Sequence, residues 1–331
     1  PPSRVGVVEL DLAADLLPGV WAQSHEQANA QAGWIVSAYA LGVVVGAPTI
    51  AAAAARFPRK QLLLACVAVF VFGTVASALL PTFGLVLVAR FVAALPHGAY
   101  FGIAALVAAS LMGPGKRGRG VALVLSGLTI ANVIGVPTVT WLGQVAGWRV
   151  AYLAVAAVFL LTFAAIALAV PLQPGDPAAT IRRELKIFGR VQVWLALLIG
   201  AVGFGGFFAV YTYVSPVVTT VTQLSPAVVP WALVAAGIGM TIGNFVGGRA
   251  ADHNVMATLF ICFGVFAVSL TGLALTAQTP VGLFVFLFLV GAAASALSPA
   301  IQTRLMDVAG DGQSLAAAMV LGLALLQRAL E

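Results

Sequence analysis

The chain has 331 residues, of which 62% are hydrophobic and 8% charged, with a net charge of +6 and a mean hydropathy of +1.08. Soluble domains carry about 45–50% apolar and about 25% charged residues, so this composition excludes a soluble globular protein. The basic excess sits in short clusters between apolar runs, which excludes nucleic acid as a partner and marks the loops of a membrane protein.

Residues 1–20 carry Glu9, Asp11 and Asp15 and are too short and too acidic for a secretory leader or a span. From there the charge-free runs set the elements, since about 20 apolar residues cross a bilayer. The first span is 33–55, closed by Arg56, Arg59 and Lys60. The second is 62–80, and a turn at 81–84 leads into the third, 85–112, which carries Arg90 and His97. Lys116, Arg117 and Arg119 precede the fourth, 121–142, and Gly147-Trp148-Arg149 precedes the fifth, 150–170. A polar segment, 171–190, divides the chain. Beyond it, 191–248 and 254–303 contain no Asp, Glu, Lys or Arg, and hold spans 191–214, 229–247, 255–277 and 281–301. A last apolar piece, 314–326, is too short to cross. All nine spans are expected to be helices, because backbone groups in lipid must bond within their own segment. Short alternating strands, the mark of a barrel, are absent from the sequence.

Every second loop is basic: Arg56/Arg59/Lys60, Lys116/Arg117/Arg119, Arg182/Arg183/Lys186/Arg190, Arg249 and Arg304. The intervening loops hold only Arg149. The basic set is therefore cytoplasmic and the acidic start lies outside. The halves also repeat. A shift of 197 residues carries Gly42 onto Gly239, Gly46 onto Gly243 and Ala55 onto Asp252. In both halves a ladder of small residues spaced by four, Ala38/Gly42/Gly46 and Ala235/Gly239/Gly243/Gly247, forms one helix face able to approach a neighbour closely. Internal repeats of this kind mark secondary transporters.

Few polar groups remain inside the spans. Arg90 stands two turns into the third, where a guanidinium either lines a watery cavity and binds a polar or anionic group, or snorkels to the outer interface. His97 lies two turns deeper on about the same face and either exchanges protons or packs as a hydrogen-bonded core group. Tyr100 is a further turn on, as cavity wall or core. Asn132 sits in the small-residue run 127–137, beside the face of Gly127, Ala131 and Gly135, and either meets substrate or bonds another helix; Pro137 bends that helix. Tyr211 and Tyr213 suit an outer aromatic belt or a substrate wall. Cys66 and Cys262 lie apart inside spans, with no metal or redox motif. The run 110–117 lacks the first Gly and the Ser/Thr of a phosphate loop, which excludes ATP as the energy source. Ser126 has no base near it in sequence, so an intramembrane hydrolase would need His97 brought beside it.

Several stretches together resemble one family: Val36-Ser-Ala-Tyr-Ala-Leu-Gly42 with Gly46-Ala-Pro48; 89–102, which holds Arg90 and His97; 127–137 running into Gly143 and Gly147-Trp148-Arg149; and 237–252. The chain resembles the major facilitator superfamily, in its branch of bacterial drug:proton antiporters, and is similar there to exporters of the arabinose-efflux type. The resemblance implies an all-α, polytopic, two-bundle transporter of the inner membrane. It would export a small organic molecule (sugar, nucleoside or drug) in exchange for protons, as a monomer and without a cofactor. It implies proton coupling at Arg90, and an interface motif at Gly135 and Pro137. Gly248, Arg249 and Asp252 match the gating loop motif of the second half. The first-half copy keeps Arg56, Arg59 and Lys60 but has Ala55 where an aspartate is usual, so a latch on that carboxylate is not expected. The implied division is 1–32 as the tail of helix one and an outside loop, 33–170 and 191–331 as the bundles, and 171–190 as a cytoplasmic linker. The nine spans then stand for helices two to ten, and Leu315-Ala-Ala-Ala for the start of helix eleven. Incompleteness at both ends is expected, and with it the alternative of a non-transporting fragment.

Overall fold

The computed structural model describes residues 7–54, 57–113, 115–175 and 189–309. Within them every regular element is helical, as the absence of water from a bilayer demands. Three short helices come first: α1 (Val7–Leu16), α2 (Pro18–Trp21) and α3 (His25–Ala32). Then follow α4 (Trp34–Ala54), α5 (Arg59–Leu79), α6 (Phe83–Ala94), α7 (His97–Met112), α8 (Arg117–Ile130), α9 (Val136–Ala146) and α10 (Trp148–Ala169). After the linker come α11 (Val191–Thr212), α12 (Val229–His253), α13 (Val255–Thr276) and α14 (Pro280–Ala309). Among the described residues nine helical stretches are long and apolar enough to cross a membrane, and they coincide with the nine expected spans within a few residues at most ends. The clearest difference is at the first, which extends back over α3 to His25. Large apolar side chains such as Phe72, Leu168 and Leu275 are three-quarters exposed or more, as lipid-facing groups must be. The piece 314–326, the residues Ala55 and Arg56, and Arg182, Arg183 and Lys186 lie outside the described residues.

The repeat seen in the sequence is present in the packing. An added Cβ on Gly42 would strike the backbone of Phe91, and one on Gly46 that of Leu95. The same test on Gly239 meets Phe288, and on Gly243 meets Ala292. Both pairs of partners differ by 197 residues, the offset of the glycines themselves. The bounds of α6 and α7, Phe83 to Met112, shifted by 197, become those of α14, Pro280 to Ala309. A three-helix module therefore occurs twice, and its glycines are required because helix backbones meet there directly.

The neighbour that the ladder Gly239, Gly243 and Gly247 approaches is α14 of its own bundle. The opposite face of α12 meets α8. There an added Cβ on Gly118 would lie 2.5 Å from the Gly248 carbonyl, and one on Gly248 2.5 Å from the Ala122 Cβ. The amide of Asn244, which is buried, donates to the Ala122 carbonyl at 2.7 Å. Farther along, Gly237 faces Val133.

The fourth span also departs from a plain helix. Between α8 and α9, residues Ala131–Gly135 form a turn of π-helix. Pro137 has no N–H to give to the preceding turn, and a wider register is one way a helix absorbs that loss. An added Cβ on Gly135 meets only Ala131 of its own helix, and one on Gly127, before the turn, meets nothing within 4 Å. The face Gly127/Ala131/Gly135 expected at the interface is thus replaced by Gly118, Ala122 and Val133.

Side chains close the helix ends. Lys60 donates to the Ala167 carbonyl at 2.7 Å, at the end of α10. Arg149 donates to Ala78 at 2.7 Å and Leu80 at 3.2 Å, at the end of α5, and pairs with Asp15 at 2.9 Å. Orphan carbonyls of a helix C-terminus take such donors readily. The chain passes from α9 to α10 through Gly147 at φ 87°, a conformation that favours glycine. Asp15 also accepts from the Trp148 indole at 3.1 Å, so one carboxylate ties α1 to the start of α10.

Candidate functional site

Arg90 packs against aromatic rings. It lies on α6 two turns in from Phe83, and its guanidinium packs inward, with its carbon 4.3 Å from the centre of the Tyr39 ring on α4 and 5.2 Å from that of Tyr152 on α10. Its Nε is buried and makes no hydrogen bond. Magnitudes explain how the charge is held. An arginine at mid-membrane costs about 2.5–3.5 kcal/mol on insertion scales. A desolvated cation–π contact returns about 2 kcal/mol. Two ring faces therefore offset most of the cost without neutralising the charge.

His97 begins α7, just past Pro96, where the rod formed by α6 and α7 breaks its hydrogen-bond ladder. Its Nδ1 lies 2.7 Å from the Tyr39 hydroxyl. Around the imidazole stand Phe70 of α5 with ring centres 5.9 Å away, Phe101 at 5.4 Å and Tyr39 at 5.6 Å. Tyr100 meets Phe70 at 5.7 Å, and Phe70 stacks on Phe159 of α10 at 5.0 Å. Four helices of the first bundle and the α7 turn thus converge on one cation and one imidazole.

Of the residues singled out from sequence, Arg90, His97 and Tyr100 come together. Tyr211 lies in the second bundle, within the apolar cluster of Phe207, Met240 and Phe266. The side chains of Asn132 and Pro137 are outside the described ones. Sequence reasoning passed over Tyr39 and Tyr152 as site residues. Tyr39 was legible in principle: it adjoins the ladder Ala38/Gly42/Gly46 that faces α6, so its side chain had to emerge near Arg90. Tyr152 had a weaker signal, one turn beyond Trp148. Ser126 donates to the Leu123 carbonyl of its own helix at 2.7 Å, while His97 is engaged by Tyr39.

The second module does not repeat this chemistry. The shift of 197 places Ala236 at the position of Tyr39, Leu287 at Arg90, Ala294 at His97 and Leu297 at Tyr100, all four buried and apolar.

At the opposite end of the helices the bundles meet through charge. The Asp252 carboxylate, at the end of α12, accepts from the Gly118 backbone N–H at 2.6 Å. Its other oxygen lies 3.1 Å from Arg119 Nε, close enough for coulombic attraction but not aligned as a hydrogen bond. Arg117 pairs with Asp307 of α14 at 3.4 Å, and Arg190 donates to the Val308 carbonyl. Arg249 is exposed. The described basic residues gather at this end, and Arg149 stands alone at the other, the distribution expected of a cytoplasmic and an outer face.

Comparison with known proteins decides the family. The model of the Major Facilitator Superfamily matches residues 12–326, nearly the whole chain. The chain belongs to the major facilitator superfamily. Among curated relatives, the inner membrane transport protein YdhP of Escherichia coli K12 is 35% identical over 307 residues, covering 93% of this chain and 79% of its own length. A chloramphenicol resistance protein of Streptomyces lividans is 34% identical over 289 residues, 86% of this chain and 74% of that one. The putative transporter AraJ of Escherichia coli K12 is 31% identical over 302 residues, 87% and 73% respectively. Among solved structures, the proton:xylose symporter XylE aligns with a TM-score of 0.73 at 15% identity, over 99% of this chain and 85% of that one. That likeness concerns the fold. This superfamily member is an all-α, multi-pass protein of the inner membrane and a transporter by kinship.

Proposed function

We propose that the chain exports a small organic molecule (sugar, nucleoside or drug) in exchange for protons, by alternating access between bundles 33–170 and 191–331 joined by the linker 171–190. The observation that carries this reading is the pair Arg90 and His97. A charge-bearing side chain with a buried, unbonded Nε and a titratable imidazole are both held against Tyr39, inside the first bundle. Such groups in a membrane interior mark ion or substrate pathways. The name of a probable sugar efflux transporter of Helicobacter pylori, 27% identical over 303 residues, supports export and the sugar class, and that of the chloramphenicol resistance relative supports the drug class. The protein acts as a monomer, with Arg90 and His97 as the coupling residues and Tyr100 in the cavity wall. Asn132 and Tyr211 remain proposed substrate contacts.

The test uses everted membrane vesicles energised to an acidic interior and a pH-sensitive dye. Addition of a panel of sugars, nucleosides and chloramphenicol is expected to dissipate the gradient for at least one compound, only in membranes that contain the protein. A correctly inserted chain that moves no proton with any compound overturns the reading in favour of a non-transporting member.

The cytoplasmic contact gives a further expected result. With Ala55 in place of a first-half carboxylate, Asp252 carries the latch proposed for the gating motif, together with Gly248. Asp252→Asn removes the charge that attracts Arg119 and weakens the bond to Gly118. A hydrogen bond to a charged group is worth about 1.5–3 kcal/mol, and about 1.4 kcal/mol is tenfold in a population. In a background lacking Cys66 and Cys262, a cysteine at Ala122 is therefore expected to react roughly tenfold faster with a membrane-impermeant thiol reagent added from the cytoplasmic side. An unchanged rate removes Asp252 from the latch.

A further inference from the structure

We propose that Tyr39 is a positioning residue that holds neutral His97 in the tautomer with its proton on Nε2, and that Arg90 enforces this through the Tyr39 ring. The argument starts from the 2.7 Å contact between the Tyr39 hydroxyl and His97 Nδ1. Neutral imidazole has one donor and one acceptor nitrogen, and a phenol can give or take, so two arrangements fit that distance.

Arg90 breaks the tie. Its guanidinium lies 4.3 Å from the centre of the same ring. A cation on the π face draws electron density from the ring. That strengthens the O–H as a donor and weakens the oxygen as an acceptor, more so where water does not screen. The hydroxyl therefore donates to Nδ1, and the imidazole proton resides on Nε2. The groups facing His97 from the packed elements are Tyr39 on α4, Phe70 on α5, Arg90 behind Tyr39 on α6 and Phe101 on α7. Tyr152 on α10 contacts Arg90 rather than the imidazole. Among the described residues Tyr39 is thus the hydrogen-bond partner of the ring.

A consequence follows for coupling, and it rests on the proton exchange proposed above. Imidazolium has N–H on both nitrogens and accepts nothing. A proton arriving at Nδ1 obliges the Tyr39 hydroxyl to stop donating, turn and accept, directly beneath the Arg90 charge. Protonation of His97 is thereby felt at Arg90 without the two side chains touching.

The test reads the tautomer itself, with no gradient or substrate, so it is separate from the test of transport. The chain has three histidines, His25, His97 and His253, and the His97→Gln variant assigns the resonance. In the full-length protein labelled with ¹⁵N-histidine, at a pH where the ring is neutral, the Nε2–H form is expected to exceed the Nδ1–H form by about tenfold, the weight of one hydrogen bond. Tyr39→Phe keeps the ring under Arg90 and deletes the hydroxyl; it should bring the two forms to within about threefold of each other. Arg90→Met keeps the hydroxyl and removes the cation, and should lower the ratio several-fold, whereas Arg90→Lys should preserve it. A dominant Nδ1–H form in the unaltered protein overturns the proposal, as does a ratio indifferent to Tyr39→Phe. Should Tyr39→Phe fail to fold, the contrast between Arg90→Met and Arg90→Lys decides on the same ratio.

Discussion

Replacing Arg90 with alanine is expected to abolish gradient-driven efflux while the protein still inserts and folds. The two halves of this result have separate causes. Insertion should survive, and even improve, because the substitution removes a group that costs about 2.5–3.5 kcal/mol at mid-membrane. The two tyrosine faces lose a contact worth about 2 kcal/mol, so the net effect on stability is small. Coupling should fail because Arg90 is the cation packed on Tyr39 and Tyr152, while the other described cations of residues 33–170 sit at helix ends. The measurement is dye-reported proton movement driven by whichever panel compound the unaltered protein exports, set beside the amount of monodisperse protein extracted from the membrane. Arg90→Lys keeps the charge but not the flat guanidinium that lies on Tyr39, and should retain part of the activity. Full efflux from Arg90→Ala would take Arg90 out of the mechanism.

Gly243→Leu is expected to be the most damaging single change to the fold. A Cβ alone at this position would overlap the Ala292 backbone of α14, and there is no flexible side chain there to move aside. Overpacking of an interior commonly costs about 1–3 kcal/mol, and a backbone-to-backbone contact lies at or beyond the upper end. Gly46→Leu should behave alike, since Gly46 meets the Leu95 backbone at the matching place in the first module. Gly127→Ala supplies the contrast. It has nothing within 4 Å, and alanine is about 1 kcal/mol better than glycine in a helix. Fluorescence-detected size exclusion after heating reads all three. Loss of the folded peak is expected for Gly243→Leu and Gly46→Leu, and retention or a gain for Gly127→Ala. Equal profiles would mean that the modules are not held together at these glycines.

Much of this architecture was legible because the bilayer leaves the chain few options. The nine spans followed from length and absence of charge, which are set by solvent rather than by detailed packing. The repeat was legible from two glycine pairs because backbone contacts tolerate no substitution. What a glycine faces was not legible. Gly239, Gly243 and Gly247 turned toward α14, while Gly237, Asn244 and Gly248 on the other side of the same helix met α8; periodicity alone gives two faces and no partner for either. The π turn at Ala131–Gly135 shifts the register by one residue, which no i, i+4 count anticipates. At the site, Arg90 and His97 stood out because ionisable groups are rare in spans. Tyr39 and Tyr152 did not, because a tyrosine in an apolar helix is common and its significance comes from a neighbour on another helix.

The two copies of the α4–α7 unit share their backbone contacts but differ in polarity at each position equivalent to Tyr39, Arg90, His97 and Tyr100. Charge is thus confined at these positions to one copy of the unit, and Ala236, Leu287, Ala294 and Leu297 fill the matching places of the other with buried apolar groups. A duplicated skeleton thus coexists with a one-sided distribution of charge.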